Sequence, residues 1–348
     1  MKKQIYLTAP INDLSYGLVS QNILNELVKH RDVLLSVIGP QQVITDNISN
    51  SVRNFSYLPP HKDISSVKIF HQFDLAHHIG KGKHIGFPIF ELDGFNQHEV
   101  KNLSMQDTIL VASQWAKDVV DSNLSSDCQV VPLGVDREVF KYKEIPNEVC
   151  VFLNIGKMEY RKGKDVLIKA CSRVFKGKKD CMLWMMADNR FTDISHDVNT
   201  FKQELGNQVA FIRKVDSTTE VANIINRATF GLFPYRAEGF CLPLLECLSC
   251  GLNVAATNYS APTEYLNSGN SSLIEIENKE KAFDGIFFGG KDGSWAKLDE
   301  RYEDKLVDVM EYQYESWKHY GKLTNYEGIE TAKEFSWEKT SNGILRNG

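Results

Sequence analysis

The sequence predicts an α/β protein of two doubly wound domains, and three observations carry that prediction. Short apolar runs alternate with amphipathic stretches of helical period, as a parallel sheet wrapped by helices requires. The alternation stops at the polar, proline-bearing "YKEIPNE" and then begins again. The length of 348 residues also lets each of two domains bury its own core.

Taken in order, "QIYLTA" reads as a strand and "GLVSQNILNELVKH" as the helix that follows it. "VLLSVIG", "VKIFHQF" and "HIGFPIF" continue as strands, then "TILVAS" leads into the helix "QWAKDVVDS", and "CQVVPL" closes the first half. After the break come strand "VCVFLNIG", helix "KDVLIKACSRVF", strand "CMLWMMA", a helix near 197–205, strand "QVAFIR", helix "TTEVANIINRA" and strand "TFGLFPY". "LNVAAT" and "APTEYLN" complete the pattern, so the domains are placed at 1–147 and 148–334. The last seventy or so residues change character, with charged and aromatic helical stretches such as "YEDKLVDVMEYQYESWKHYG" and an amphipathic "FSWEKTSNGIL". Their tyrosines and Trp317 are read as core packing with an exposed rim.

Hydrophobic residues make up 42% and charged residues 24%, an ordinary globular balance that excludes a disordered or fibrous chain. The net charge of −5 is spread so that neither half is basic, which disfavours a partner gripped mainly through phosphates, whether nucleic acid or an anionic membrane. Only Cys247 and Cys250 of the seven cysteines lie close in sequence, and no second pair or histidine cluster completes a zinc site. Free buried thiols in a cytoplasmic protein are the expectation. The apolar stretch after the first lysines is too short for a signal-peptide core, and no run approaches the length that crosses a bilayer.

Ligands of doubly wound sheets bind beyond the carboxyl ends of the strands, so chemistry is sought just after them. Glu238 follows the strand "TFGLFPY", Pro243 suits a helix start, and Glu246 falls about one turn inside. Backbone N–H groups of Gly239, Phe240, Cys241 and Leu242 would point into the same mouth. Read alone, these acids fit equally well a helix-dipole partner and a solvated loop carboxylate. A second loop adds weight: "NIGKMEYRKGKDVLIKA" gathers Lys157, Arg161 and Lys162 at a helix start, where cations oppose the dipole and an anion such as a diphosphate resolves the conflict. His71, at a strand end, is placed near the ligand; His77 and His78 read as a surface loop, and no metal spacing emerges.

These residues resemble glycosyltransferase family 4, group 1 retaining enzymes of the GT-B fold. The resemblance is carried by the lysine loop, by Glu238 and Glu246 in "EGFCLPLLECLSCGLNVAAT", and by "APTEYL", "VVPLGVDREVF" and the terminal "FSWE". It implies two Rossmann-like domains flanking a cleft that closes on substrate, with the tail 335–348 crossing back to the first. The N-terminal domain would be the acceptor side and the second the donor side. Lys157, where the family usually has arginine, and Lys162 would grip the donor diphosphate. Glu238 and the amides of Gly239 to Leu242 would hold sugar and phosphate, and Glu246 would accept from ribose hydroxyls. Tyr16 and Gly17 stand where the family has a double-glycine loop contacting phosphate, ahead of a helix at 18–29. Glu91, then Asp93, would face the cleft from the acceptor domain.

The activity implied is retaining transfer of a hexosyl or pentosyl group from a nucleotide-diphosphate sugar to a hydroxyl, with no cofactor and no essential metal. Three alternatives stay open: a metal-dependent GT-A transferase using "ELD" at 91–93, a nucleotide-sugar epimerase, and a nucleotide-sugar binding protein whose catalysis has lapsed. The acceptor is open among saccharide, lipid-linked saccharide, protein, metabolite and nucleic-acid base. A homodimer and peripheral attachment to a membrane are open as well.

Overall fold

The computed structural model of the chain describes residues 3–40, 52–54, 63–212, 215 and 217–348, with the backbone alone at 52–54. It resolves into two compact units, residues 1–134 with 335–348 and residues 135–334.

In the first unit the strands are β1 (Gln4–Ala9), β2 (Asp32–Val37), β3 (Val52–Asn54), β4 (Ser66–Ile69), β5 (His84–Phe87), β6 (Thr108–Val111) and β7 (Cys128–Val130). They lie in the order β3-β2-β1-β4-β5-β6-β7, every described pair parallel. The chain steps outward from β1 to β3 and then returns to lay β4 on the other flank of β1, so β1 and β4 form a topological switch point. Helices α1 (Ser15–His30), α2 (Gln97–Ser104) and α3 (Gln114–Asn123) belong to this unit. Strands covered on both faces need apolar side chains throughout, and Ile5, Tyr6, Leu7, Val67 and Ile69 are accordingly buried. Asn96 and Glu99 cap α2 reciprocally, and Ser113 caps α3.

Helix α1 begins at Ser15, three residues ahead of the expected 18–29, so Tyr16 and Gly17 occupy its first turn instead of a preceding loop. A Cβ on Gly17 would sit 2.3 Å from the Asn12 carbonyl oxygen, which is why glycine is needed where the helix presses on its own entry loop.

The second unit repeats the plan with β8 (Cys150–Ile155), β9 (Cys181–Met186), β10 (Val209–Phe211), β11 (Phe230–Phe233), β12 (Asn253–Thr257) and β13 (Ser272–Ile274). The order is β10-β9-β8-β11-β12-β13, all parallel, with the switch point between β8 and β11. Its helices are α4 (Lys164–Phe175), α5 (Ser195–Leu205), α6 (Thr218–Arg227), α7 (Leu242–Ser249), α8 (Glu300–Tyr320) and α9 (Tyr326–Lys333). Val166, Leu167, Ala170 and Val174 of α4 share a core with Phe152, Leu183, Leu306 and Met310. The "QVAFIR" run ends on Arg213, which lies outside the described residues.

Two features depart from the expected plan. Residues 135–147 group with the second unit, because Phe140 and Lys141 offer carbonyls to Ser249 and Asn226 while the Lys143 N–H donates to Asn226 at 2.7 Å. The last seventy residues open not on a helix but on an antiparallel hairpin that the sequence reading did not place, β14 (Lys279–Phe283) with β15 (Gly289–Ala296), its turn held by Asp284 accepting from three successive amides. The aromatics of α8 divide into core and rim as expected: Tyr314 is buried with its hydroxyl 2.6 Å from Asp180, whereas Tyr312 and Tyr320 are exposed.

The last helix, α10 (Trp337–Asn347), belongs to the first unit although α9 just before it belongs to the second. Thr340 donates to the Pro132 carbonyl at 2.7 Å and Ile344 is fully buried, which fixes the tail beside the end of the first sheet.

Candidate functional site

In the second unit the candidate residues collect at the carboxyl ends of β8, β11 and β12, beside the switch point where such sheets bind ligands. Past β8 the chain passes Gly156 and Lys157, makes a 3-10 turn at Tyr160–Lys162, and enters α4 through Gly163. Gly163 has φ 72°, and a Cβ there would lie 1.7 Å from the Pro234 carbonyl oxygen. Only glycine lets the lysine loop approach the loop after β11 this closely.

That approach brings cations to Glu238. The carboxylate is buried and pairs with the Lys162 ammonium through Oε1 and with Arg161, 3.3 Å away, through Oε2. Burial alone would raise its pKa; the charges of Lys162 and Arg161 reverse that and hold it below the ordinary carboxylate value. The Glu238 N–H donates to Ser260 Oγ at 2.9 Å. Arg161 is itself buried, donating to the Ala237 carbonyl at 2.7 Å and to Glu159 at 3.1 Å. It therefore meets Glu238 from the protein side. Lys162 is 18% exposed and Lys157 40%, the latter 5.0 Å from the centre of the Phe191 ring. These two ammoniums are the ones a ligand can reach.

Helix α7 supplies the rest. Among the described residues, the non-glycine positions with positive φ are Cys241 (65°) and Ser260 (62°), and both border Glu238. Backbone strain of this kind persists where surrounding structure over-determines it, often at ligand sites. Tyr265 helps to fix the turn, its hydroxyl 2.7 Å from the Phe240 carbonyl and 2.9 Å from that of Cys241. The N–H groups of Gly239, Cys241 and Leu242 donate to no described residue, while the Phe240 ring packs against Tyr265 at 5.2 Å. One turn into α7, Glu246 is half-buried, and no described residue pairs with its carboxylate. Burial pushes its pKa up to about 7. A carboxylate left in that state accepts hydrogen bonds readily from an incoming polyol.

Tyr16, His71 and Glu91 of the first unit meet beyond β1, β4 and β5. The Tyr16 hydroxyl donates to the Ile89 carbonyl at 2.5 Å and accepts from the Ile89 N–H at 3.1 Å. Its ring lies 4.6 Å from His71 and 5.9 Å from Phe70. Burial, helped by the Glu91 charge, holds its pKa well above the tyrosine norm. Asp93 follows in the same loop, and Gly17 is committed to packing on Asn12. His77 is exposed as a surface loop requires, but His78 is not: its ring bonds Ser66 at 3.0 Å and Gln106 at 2.6 Å and stacks on His84. Burial lowers its pKa to about 4.

Sequence reasoning missed Arg236. Buried, it grips Asp165 through two 2.8 Å bonds, stacks 3.6 Å from the Tyr160 ring centre and reaches Glu280 at 3.2 Å. Its N–H also donates to the Arg161 carbonyl at 2.7 Å, stitching the two site loops together. The signal was a lone arginine inside the apolar run "LFPYRAEGF", where a cation must be paired.

Residues 149–286 match the family model Glycosyl transferases group 1. The match to group 1 glycosyltransferases covers the strands and loops that carry the second-unit site. An uncharacterized glycosyltransferase of Methanocaldococcus jannaschii is 26% identical over 243 residues, covering 69% of this chain and 58% of that relative, so the chain spans under two thirds of its length. Two solved structures align over 99% of the chain: sucrose-phosphate synthase from Thermosynechococcus elongatus, with TM-score 0.73, 13% identity and 98% of its own chain covered, and Anabaena HepE in complex with UDP-glucose, with TM-score 0.71, 12% identity and 99% covered. The fold is GT-B, two Rossmann-like α/β domains in one chain.

All seven cysteines are buried and free of disulfides. Among the described residues no helix is long and apolar enough to cross a membrane, and no cluster of three or more His, Cys, Asp or Glu is placed to hold a metal ion.

Proposed function

We propose that the chain moves a hexosyl or pentosyl group from a nucleotide-diphosphate sugar to a hydroxyl acceptor, with retention of anomeric configuration and without an essential metal. The observation that carries this reading is the second-unit cluster. It combines reachable ammoniums at Lys157 and Lys162, open amides at the start of α7 and an unpaired half-buried carboxylate at Glu246, all at one sheet edge. That combination suits a ligand anionic at one end and rich in hydroxyls at the other. UDP-glucose, the compound bound in the Anabaena neighbour, has this chemistry.

In the proposed step the bond from the anomeric carbon to the diphosphate oxygen breaks as the acceptor oxygen bonds the same face. The acceptor proton passes to the departing phosphate oxygen. Lys157, Lys162 and the α7 amides stabilise charge that grows on that phosphate, the kind of preorganised term that removing one donor costs about 3 kcal/mol. Glu238, held ionised by Lys162 and backed by Arg161, positions sugar hydroxyls, and Glu246 accepts from the ribose. On the acceptor side Glu91 and Asp93 are the candidate polar contacts, with Tyr16 fixing the segment that precedes them.

The test is thermal melting across a panel of UDP-glucose, GDP-mannose and ADP-glucose, followed by product analysis with the best donor. A donor that binds the folded form raises the melting temperature, by an amount that grows with the logarithm of its concentration over its dissociation constant. The expected result is a shift for one nucleotide class, abolished in Lys162→Ala, with a product of retained configuration formed in the presence of EDTA. No shift with any nucleotide sugar, or a full shift in Lys162→Ala, overturns the assignment. Turnover without acceptor to an epimer, or loss on chelation, overturns the reaction type.

A further inference from the structure

The hairpin of the second unit ends in a surface that glycosyl transfer leaves unused. Its base is fixed: the Trp295 indole donates to Glu280 at 3.2 Å, and the same Glu280 oxygen accepts from the buried Arg236 at 3.2 Å. Nearer the turn, Phe288 folds back onto Trp295, its ring 5.3 Å away in an edge contact. Its neighbours face outward. Phe283 is 61% exposed, Ile286 65% and Phe287 47%. Phe191, on the loop between β9 and α5, is 56% exposed and meets Phe287 edge-on at 6.1 Å. Between Ala282 and Gly290 the one ionisable side chain is Asp284, whose carboxylate accepts from the amides of Ile286, Phe287 and Phe288 at 2.8–2.9 Å. Charge returns on the shanks below the turn. Lys279, Lys281, Lys291 and Lys297 are exposed, whereas Glu280 is turned inward to Arg236 and leaves Asp292 as the exposed acid among them.

Size, shape and charge decide what such a tip fits. With about 200 Å² for each fully exposed side chain of this size, the four tip residues offer roughly 450 Å² of apolar surface. A contiguous patch of several hundred Å² marks a contact site, yet this one is about half of the 800 Å² that each partner brings to a stable protein interface. A second copy of the chain would have to enlist the glycines and lysines around it. The tip is also a convex point, which suits an occupant that moulds itself to the side chains. A lipid bilayer does so at headgroup depth, where binding grows with the apolar area buried and with the attraction of nearby lysines to anionic lipid.

We propose that the tip of this hairpin docks the chain on an anionic membrane surface, with Phe283, Ile286, Phe287 and Phe191 among the lipids and the lysines of the shanks against the headgroups. The net charge of −5 does not oppose this, because apolar insertion leads the grip and charges farther than about 10 Å from the surface are screened. The Lys157 ammonium sits 5.0 Å from the Phe191 ring centre, so docking brings the mouth of the second-unit site to the lipid face. The proposal does not depend on the glycosyl-transfer reading, since membrane binding is measured without donor or acceptor.

Flotation of the full chain with vesicles tests it. The probes are vesicles of phosphatidylcholine alone and of phosphatidylcholine mixed equally with phosphatidylglycerol. The parent should bind the anionic vesicles about tenfold or more tightly than the neutral ones, and added salt should reduce that excess. Ile286→Ser combined with Phe287→Ser should weaken binding to the anionic vesicles by about tenfold or more. Lys281→Glu combined with Lys291→Glu should erase the preference for anionic lipid. All four side chains are exposed, so both variants should melt with the parent. Phe287→Trp keeps the tip apolar and reads insertion directly: its added emission should be quenched by brominated lipid in the anionic vesicles. The proposal fails if the parent binds neither vesicle or both equally, if the serine pair floats like the parent, or if brominated lipid leaves the Phe287→Trp emission unchanged. Self-association of the parent in sedimentation velocity, abolished by the serine pair and unaccompanied by vesicle binding, would assign the tip to a second copy instead.

Discussion

The two units place loops at equivalent points of the same topology and furnish them with opposite chemistry. Beyond β8 and β11 stand Lys157, Glu159, Arg161, Lys162 and Glu238, charged groups joined in a chain of ion pairs. Beyond β1 and β4 stand Tyr16, Phe70, His71 and Phe73, a chain of rings in edge and stacked contact. The doubly wound sheet thus fixes where a ligand sits but not what it is. Ion pairs in the second unit suit a charged leaving group; rings in the first suit the face of a sugar.

The comparison breaks most sharply at Gly163. Alanine there meets both a positive φ and the Pro234 carbonyl, so Gly163→Ala should lower stability by about 3 kcal/mol or more, read from urea unfolding. A loss below about 1 kcal/mol would mean that the two charged loops are not forced together as described.

Glu246 gives the next largest effect and a definite sign. Its folded pKa of about 7 lies above the unfolded carboxylate value, so the folded form holds a proton that the unfolded chain has already lost. Stability attributable to this group is greatest at low pH and falls as pH rises toward 7. Glu246→Gln should therefore match the parent near pH 4 and exceed it by roughly 2 kcal/mol at pH 8. Donor hydroxyls prefer the ionised carboxylate, so donor affinity should increase as pH rises through 7, and the glutamine variant should lose that dependence. A variant no more stable than the parent at pH 8 would show that Glu246 is ordinarily solvated.

Smaller effects refine the contrast. Tyr16→Phe removes two bonds to Ile89 and should cost about 1–2 kcal/mol without touching the nucleotide-sugar melting shift. Loss of that shift would show that the ring cluster serves the donor. Cys241→Gly should relieve the left-handed backbone and gain about 1 kcal/mol, and a loss instead would assign the thiol a packing role that outweighs strain.

Much of the second-unit site was legible because its signals are local. Gly163 after two cations, Pro243 at a helix start and two glutamates eight positions apart across that start all lie within short windows. The partition of roles was not legible, because it depends on neighbours distant in sequence: Arg161 turns inward to Ala237 and Glu238, and Arg236 spends its charge on Asp165. In the first unit the position of Tyr16 was misjudged because Gly17, read as a loop residue, packs inside the first turn of α1. His78 escaped for the same reason, its partners Ser66 and Gln106 being set by strand order. The hairpin at 279–296 was hidden by charged residues, although the glycines at 289, 290 and 293 marked a chain less helical than its composition implied.

The central claim is that Lys162 and Glu246 serve one bound nucleotide sugar. Calorimetric titration of the best donor from the melting panel, against the parent, Lys162→Ala and Glu246→Gln, tests it most directly. The account predicts that each substitution weakens binding by about tenfold or more, as loss of a hydrogen bond to a charged group should. Affinity unchanged within twofold in either variant would contradict it.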